Sequence, residues 1–163
     1  MSVATPVQSN NFLLVTQFYL GSMMMQLDQD RPGATMLWKG QSRSEMPDQT
    51  DGLHSLITTP LIIGDNVYGV GSYGELRGLD ARTGERLWMS ADMTVQDRWG
   101  TAFAVRQGDR YFVVNDDGVL INARFTPEGY VEQGRVHLLD ATGDSGFGPA
   151  KRWDRKVSWT HPA

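Results

Sequence analysis

The sequence predicts an all-β protein, a β-propeller built from four-stranded blades. Three observations favour this fold. Short apolar runs alternate with turns of glycine, aspartate and asparagine, and the 163 residues include 18 glycines. No long segment carries apolar residues at helical spacing. A unit of four predicted strands recurs along the chain, and repeats of roughly 40 to 50 residues with four strands each are typical of propeller blades.

The clearest unit runs from Thr58 to Ser90. It divides into the predicted strands PLII, NVYGVGS, LRGLDA and RLWMS, joined by the turns GD, YGE and RTGE. Each turn contains glycine where the backbone must bend tightly or adopt a positive φ. One complete blade is therefore predicted at 58–90.

Weaker copies flank this unit, and we predict blades at about 4–40, 58–90 and 100–140, with the first strand of a next blade at 157–163. The third copy matches through GDRYFVVNDDGVL against GDNVYGVGSYGEL, although its fourth strand has lost the tryptophan. The first copy matches through three pairs of dipeptides: Thr5-Pro6 with Thr59-Pro60, Leu27-Asp28 with Leu79-Asp80, and Leu37-Trp38 with Leu87-Trp88.

A short motif near the end of each clear repeat is interpreted as structural. Asp80, Thr83 and Gly84 are expected to form a tight turn, since aspartate caps turn amides and glycine accepts a left-handed conformation. Trp88, like Trp38 in the first copy, is then expected to lie flat between adjacent blades and to donate its indole N–H to a backbone carbonyl. The motif therefore joins blades and carries no catalysis.

The spacing Gly78-x-Asp80-x-x-Thr83-Gly84-x-x-x-Trp88 resembles the tryptophan-docking repeat of the pyrroloquinoline-quinone (PQQ)-like β-propellers, with Gly78 replacing the usual alanine. The resemblance covers nearly all of residues 4–163 and is strongest at 58–90. It implies a closed ring of about six to eight blades. Three blades and part of a fourth would leave strand edges unpaired. We therefore expect a fragment of a longer protein, since MSVATPV leads directly into a blade; the alternative is that several chains complete one ring.

Composition excludes several classes of function. The net charge of −4, from 15 basic and 19 acidic residues, does not indicate a basic surface for binding nucleic acid or anionic lipid. The chain has no cysteine, which excludes disulfides, thiol catalysis and cysteine metal sites. The apolar run from Phe12 to Leu27 is sixteen residues long and is interrupted by Gln17 and Gln26, so we predict two buried strands there and no transmembrane segment. No signal peptide is evident.

Two motifs that suggest ligands are interpreted as turns. GVGSYG at 69–74 fits the glycine pattern of dinucleotide-binding loops, but a helix would have to follow it, and the next residues read as a strand. The paired acids Asp28 with Asp30, and Asp116 with Asp117, lack the further oxygen ligands of a calcium loop. The three histidines have no metal-ligand spacing. No catalytic residue and no metal site is predicted.

If a ligand site exists, we expect it on loops that gather at one face of the propeller. Such loops converge near the central channel, and tryptophan and arginine favour binding. The candidate ligand-binding residues are Asp51, His54, Ser55, Arg98, Trp99 and His161.

We expect a non-catalytic scaffold or binding module, with a protein or a small molecule as its ligand. The alternative is part of a PQQ-dependent alcohol or sugar dehydrogenase, for which the resemblance implies PQQ, usually a calcium ion, and a carboxylate base. No aspartate or glutamate here can be matched to that base, and the adjacent cysteine pair of many such enzymes is absent. A hydrolase or lyase would need a constellation that is not visible. The resemblance implies a periplasmic or other extracytoplasmic location.

Overall fold

The computed structural model describes residues 3–145 and 155–160, and nearly all of its regular structure is β-strand. It contains three four-stranded sheets and one two-stranded sheet, so the predicted all-β fold of four-stranded units is confirmed. A short 3-10 helix, Pro47–Gln49, lies between the first two sheets. None of the helices in the described part of the chain has the length and apolarity needed to cross a bilayer.

Each four-stranded sheet is an antiparallel meander whose strands pair in chain order. The first sheet holds β1 (Val7–Ser9), β2 (Phe12–Gln17), β3 (Gly21–Leu27) and β4 (Ala34–Lys39). The second holds β5 (Leu61–Ile63), β6 (Asn66–Val70), β7 (Leu76–Asp80) and β8 (Arg86–Ser90). The third holds β9 (Ala102–Gln107), β10 (Arg110–Asn115), β11 (Val119–Thr126) and β12 (Gly129–His137). The short strands β13 (Gly143–Asp144) and β14 (Lys156–Val157) pair with each other.

The turn between the first two strands of each sheet needs a residue with positive φ. Gly64 and Gly108 fill this place in the second and third sheets, with φ of 61° and 64°. Asn10 fills it in the first sheet with φ of 51°. Asparagine is one of the few residues other than glycine that tolerate this conformation, so the same hairpin forms in all three sheets.

The three sheets share a β-bulge at one place, which fixes how their residues correspond. The bulge lies between Met24 and Met25 in the first sheet, and between Gly78 and Leu79 in the second. Met25 therefore corresponds to Leu79, and the predicted match of Leu27-Asp28 with Leu79-Asp80 is wrong by two residues. The reason is a longer hairpin, because β3 and β4 continue to pair beyond the bulge up to Leu27.

In the third sheet the bulge lies between Asn122 and Ala123, and Asn122 pairs with Gly134. Trp38 pairs with Met24 and Trp88 pairs with Gly78 at the same place in the other two sheets. Gly134 thus stands where the first two sheets have tryptophan, as the loss of the motif in the third copy indicated.

Successive sheets share hydrophobic cores. In β2 every second residue is buried, which is the pattern of a strand with one face against another sheet. One core joins the first sheet and the loop after it to the second sheet, through Phe12, Leu14, Met24, Leu53, Val67, Leu79 and Ala81. The other joins the second sheet to the third, and includes Val70, Leu76, Met93, Tyr111, Val113 and Ile121.

A tryptophan from the outermost strand of one sheet is hydrogen-bonded to the next sheet. The Trp38 indole N–H donates to the carbonyl oxygen of Ala81 at 2.8 Å, and the Trp88 indole N–H donates to that of Thr126 at 3.0 Å. The Trp38 ring also lies against Gly84, where an added Cβ would come within 2.6 Å of the indole. Buried indole N–H groups need such acceptors, so each tryptophan fixes the position of the following sheet.

The turn that receives Trp38 is held by a carboxylate. Asp80 Oδ1 accepts hydrogen bonds from the N–H groups of Arg82 and Thr83, each at 2.8 Å, and from the Thr83 hydroxyl at 3.0 Å. Gly84 has a φ of 76°, and its N–H donates to the Asp80 carbonyl oxygen at 2.9 Å. The carboxylate and the glycine therefore shape the surface on which the tryptophan of the previous sheet lies.

Gly78 is packed against the tryptophan of its own sheet. It lies opposite Trp88 in the ladder, and a Cβ on Gly78 would come within 2.4 Å of the indole. With the indole in this position there is no room for a side chain at residue 78.

His54 connects the first sheet to the loop that follows it. Its side chain is fully buried, and Nδ1 lies 2.8 Å from the carbonyl oxygen of Phe18. A carbonyl can only accept, so Nδ1 carries the proton. Burial lowers the pKa of His54 from the ordinary 6.5, because the charged ring would lose its hydration. The interior therefore favours the neutral ring.

We expect Gly78→Ala to lower the free energy of unfolding by about 1–3 kcal/mol, because the added methyl group overlaps the indole of Trp88. Urea unfolding followed by circular dichroism measures the change. In a Trp88→Leu background the same substitution should cost less than about 0.5 kcal/mol, since alanine loses less backbone entropy than glycine on folding. An equal cost in both backgrounds would show that the indole is not what excludes a side chain.

We expect the stability of the chain to fall as the pH drops below about 6.5, the ordinary pKa of histidine. In that range the unfolded chain binds a proton at position 54 that the folded chain does not, so protonation favours unfolding. The slope that His54 adds is at most about 1.4 kcal/mol per pH unit. Unfolding free energies between pH 7.5 and 5 should therefore change less for His54→Asn, whose amide can still donate to Phe18. His137→Asn is the control for a histidine that is not buried; its ring lies 2.8 Å from the Asp140 carboxylate. A slope for His54→Asn equal to that of the unchanged protein would refute the assignment.

Candidate functional site

The loops at one end of the sheets form a connected cluster. The contributing loops are the β2–β3 turn, the β6–β7 turn, and the segments 40–60 and 91–101 that join successive sheets. The Trp99 N–H donates to the Ser72 carbonyl oxygen at 3.0 Å, and the Ser72 hydroxyl donates to the Glu45 carbonyl oxygen at 3.1 Å. These bonds link three loops that are distant in sequence, and we call this end of the molecule the loop end.

An arginine lies on two stacked aromatic rings at the centre of the loop end. The rings of Phe18 and Trp99 are stacked, with centroids 4.7 Å apart and planes at 30°. The Arg98 guanidinium carbon lies 4.6 Å from the centroid of Trp99 and 5.4 Å from that of Phe18. Guanidinium groups are attracted to aromatic faces, so the rings hold the cation in one place.

Glu45 fixes the other side of the same arginine. Its Oε2 lies 2.7 Å from an Arg98 nitrogen, and its Oε1 accepts a hydrogen bond from the Tyr73 hydroxyl at 2.9 Å. The Arg98 and Glu45 side chains are each about three-quarters buried, with 25% and 24% of their surface exposed. A charge pair with this little exposure is screened less than a surface pair.

The backbone at Trp99 has a φ of 71°, which is uncommon for a bulky residue. Such a conformation costs on the order of 1–3 kcal/mol and persists only where the surroundings impose it. Here the Trp99 N–H is bonded to Ser72, and the Gly100 N–H donates to the Asp97 carbonyl oxygen at 2.9 Å. The loop is thus held in a strained form that places the indole on Phe18.

A second arginine holds the first inter-sheet loop, residues 40–60, in place. Arg77 is fully buried in β7, and its guanidinium donates to the carbonyl oxygens of Thr50, Gly52 and Pro47. Glu75, also buried, lies 3.3 Å from the same guanidinium. A buried cation is stable only with such partners, so the position of this loop depends on Arg77.

A third arginine joins the segment 155–160 to the second inter-sheet loop. Arg155 forms ion pairs with Asp97 and Asp117, each at 3.2 Å, and with Asp116. Burial raises the pKa of Asp116, and the Arg155 guanidinium opposes that effect. Asp116 and Asp117 do lie in a hairpin turn, as interpreted from the sequence, but their main role is to bind this arginine.

The structure brings together two of the six candidate ligand-binding residues, Arg98 and Trp99. His54 lies beneath them, joined through Phe18, and is fully buried. Ser55 is also fully buried, and its hydroxyl donates to the Val70 carbonyl oxygen, so neither His54 nor Ser55 has surface available to a ligand.

The remaining two candidates are an exposed aspartate and a histidine outside the described residues. Asp51 is exposed, and its Oδ1 accepts a hydrogen bond from the N–H of Gly52 at 2.8 Å. His161 lies outside the described residues, as do residues 162 and 163 of the segment predicted to begin a next blade.

The central residues that sequence reasoning missed are Phe18, Glu45 and Tyr73. Phe18 reads as one more apolar residue of a strand, and Glu45 stands in a polar loop with no spacing pattern around it. Tyr73 lies within the glycine-rich GVGSYG, which the structure shows as a turn between two strands. Only the contacts between distant loops identify these three residues.

The described residues do not form a metal centre. Within 3–145 and 155–160, no three histidine or acidic side chains are placed so that they could share a metal ion. The aspartates nearest to one another at the loop end converge on the Arg155 guanidinium. These carboxylates are oxygen donors of the kind that calcium takes, but here they neutralise the arginine.

Comparison with known proteins gives a family match over most of the chain. The family model described as outer membrane protein assembly factor BamB matches residues 3–115. BamB of Salmonella typhimurium is 28% identical over 108 residues, which covers 60% of this chain and 28% of the relative. BamB of Yersinia pestis is 29% identical over 108 residues with the same coverage. The match thus spans little more than a quarter of the length of these relatives.

Solved structures that the chain matches include a dehydrogenase and a BamB protein. A quinohemoprotein alcohol dehydrogenase from Pseudomonas putida HK5 has a TM-score of 0.52 at 18% identity, covering 93% of this chain and 22% of that chain. BamB from Moraxella catarrhalis has a TM-score of 0.47 at 18% identity, covering 82% of this chain and 35% of that chain. At this identity the dehydrogenase shows a shared fold and no shared chemistry. From the matching family model and the repeated sheets, we conclude that this chain belongs to the PQQ-like β-propeller repeat family, in the branch described by BamB.

Proposed function

We propose that this chain is part of a non-catalytic β-propeller scaffold that binds another protein through its loop end. The observation that carries the proposal is the Arg98 guanidinium held between Glu45 and the stacked rings of Phe18 and Trp99. Arginine and tryptophan are the residue types that dominate binding energy at protein interfaces. A group that is already fixed loses little entropy when a ligand orders it.

Exposed apolar side chains surround this centre. They come from the β2–β3 turn and from both inter-sheet loops, and each is between 38% and 45% exposed: Tyr19, Leu20, Met46 and Val95. Apolar groups exposed together on neighbouring loops favour a protein partner over a small polar ligand.

The names of the relatives support a proposal about partner and location. BamB of Salmonella and of Yersinia is described as an outer membrane protein assembly factor. We therefore propose that the partner is a protein of outer-membrane protein assembly, and that this chain acts outside the cytoplasm.

Exposed apolar side chains on the third sheet, such as Val105 and Val136, support the further proposal that more blades complete a ring, from the same polypeptide or from other copies.

The alternative function, part of a PQQ-dependent dehydrogenase, has less support. The three aspartates that converge among the described residues are paired with Arg155, and the alcohol dehydrogenase comparison concerns the fold alone.

A photo-crosslinking amino acid at Tyr19 tests the proposed binding face in bacterial cells. We expect a discrete crosslinked product that contains an outer-membrane protein assembly component, and we expect its yield to fall at least about fivefold when Arg98→Ala removes the central hot-spot cation. The control is the photo-crosslinking amino acid placed instead at Arg110, an exposed position on the β9–β10 hairpin. Equal products at both positions would contradict the proposal.

Titration with PQQ and calcium tests the alternative. A saturable, red-shifted quinone spectrum would support the dehydrogenase and count against a purely non-catalytic scaffold. No spectral change at high micromolar PQQ would favour the scaffold.

A further inference from the structure

A groove of about 540 Å³ runs along the outer edge of the first sheet, beside the loop end. Its walls are Leu20, Met36, Lys39 and the loop residues 40–43. Met36 is 58% exposed and Leu20 is 38% exposed, so the groove presents apolar surface to solvent. We call this feature the edge groove.

The edge groove carries two positive charges and no negative one in its walls. Lys39 and Arg43 are exposed and are the only charged residues in its walls. None of the described carboxylates forms an ion pair with either of them. The chain as a whole has a net charge of −4, so this positive surface is local.

The outer edges of the other two sheets differ in this respect. On β8, Arg86 donates to the Thr50 carbonyl oxygen at 3.0 Å. On β12, Arg135 pairs with Glu132, whose side chain lies three residues away. The cations on those edges are engaged within the chain, whereas those of the edge groove are available to a ligand.

The edge groove is bordered by a strand whose backbone can accept another strand. β4 is the last strand in the order β1-β2-β3-β4, so one side of its backbone faces away from the sheet. An exposed strand edge can pair with an extended peptide, and neighbouring pockets then select its side chains.

The walls of the edge groove are held in place. The Gly40 N–H donates to the Ser22 carbonyl oxygen at 2.8 Å, which fixes the end of β4. The Ser42 hydroxyl donates to the Gln49 carbonyl oxygen at 2.7 Å, which fixes the loop after it. A groove that is already formed binds a peptide at a lower entropic cost.

We propose that the edge groove binds an extended protein segment that pairs with β4 and carries acidic and apolar side chains on one face. Its carboxylates meet Lys39 and Arg43, and its apolar side chains cover Met36 and Leu20. Met36 and Lys39 lie on the same face of the first sheet, because they pair with Met25 and Met23 on either side of the bulge. Successive side chains of a strand point to opposite faces, so the acidic and apolar residues that enter the groove must stand at every second position of the segment. The proposal does not depend on the function assigned to Arg98.

Fluorescence anisotropy with labelled peptides of about eight residues, the length of an ordinary strand, tests the proposal. The leucine–aspartate peptide carries leucine and aspartate in turn at every second position, with serine between them. It should bind at least about tenfold more tightly than a peptide with lysine in place of aspartate or one with serine in place of leucine. Its binding should weaken as the salt concentration rises from about 20 mM to 200 mM. Failure of the leucine–aspartate peptide to bind, or equal binding of all three, would overturn the proposal.

Two charge-reversal variants locate the binding surface. K39E/R43E should lose at least about tenfold in affinity for the leucine–aspartate peptide, because two attractive charges become repulsive. R106E/R110E makes the same change in net charge at exposed positions on the third sheet and should lose less than about twofold, since those charges lie beyond close contact with the peptide. Circular dichroism confirms that both variants fold. Equal losses in the two variants would show only a general charge effect and would overturn the proposal.

Two further measurements test the mode of binding. N-methylation of alternate peptide amides should abolish binding in one register and leave it intact in the other, since a strand pairs with β4 through only one of its two edges. Binding that survives both methylation patterns would overturn strand pairing. Sedimentation of the chain alone tests a competing occupant: a dimer that K39E/R43E dissociates would assign the edge groove to a second copy and would also overturn the proposal.

Discussion

The architecture depends on one repeated contact, in which an indole of the outermost strand of one sheet donates to a carbonyl of the next sheet. Hydrophobic burial holds two sheets together but does not by itself fix their relative position, because apolar contact is not directional. The hydrogen bonds of Trp38 to Ala81 and of Trp88 to Thr126 add that direction. The turn at Asp80 and Gly84 is shaped to receive the first of these rings. Each sheet is therefore placed by the one before it.

The loop end follows from this placement. Because the sheets cannot slide past each other, turns from different sheets meet at fixed distances, and side chains from distant loops can form a close cluster. Three arginines stabilise this cluster. Arg77 holds a loop through backbone carbonyls, Arg98 lies on aromatic rings, and Arg155 joins three aspartates. A planar group with five N–H donors is suited to bridge loops that have no regular hydrogen bonds of their own.

The sequence was sufficient for the strands, the turns and the docking tryptophans, because these depend on local patterns of apolar residues and glycine. It misaligned one of the three dipeptide matches of the first repeat, Leu27-Asp28, by two residues, since the number of extra pairs that carry β3 to Leu27 cannot be read from composition. For the candidate site, Arg98 and Trp99 lie together on the loops, and their part in binding stays a prediction, whereas Glu45 and Phe18 were not among the candidates. Their positions depend on contacts between segments far apart in the chain. His54 and Ser55 were expected at the surface, whereas the packing of the first inter-sheet loop buries both.

The direction of the indole contacts also determines when they can form during synthesis. The acceptor for Trp38 lies 43 residues further along the chain, and the acceptor for Trp88 lies 38 residues further along. While the polypeptide grows from its amino terminus, a completed sheet keeps an unsatisfied indole until most of the following sheet has left the ribosome. The contact that fixes a sheet therefore forms only after the following sheet has been synthesised. The sheet made last has one side on which no neighbouring sheet has yet packed.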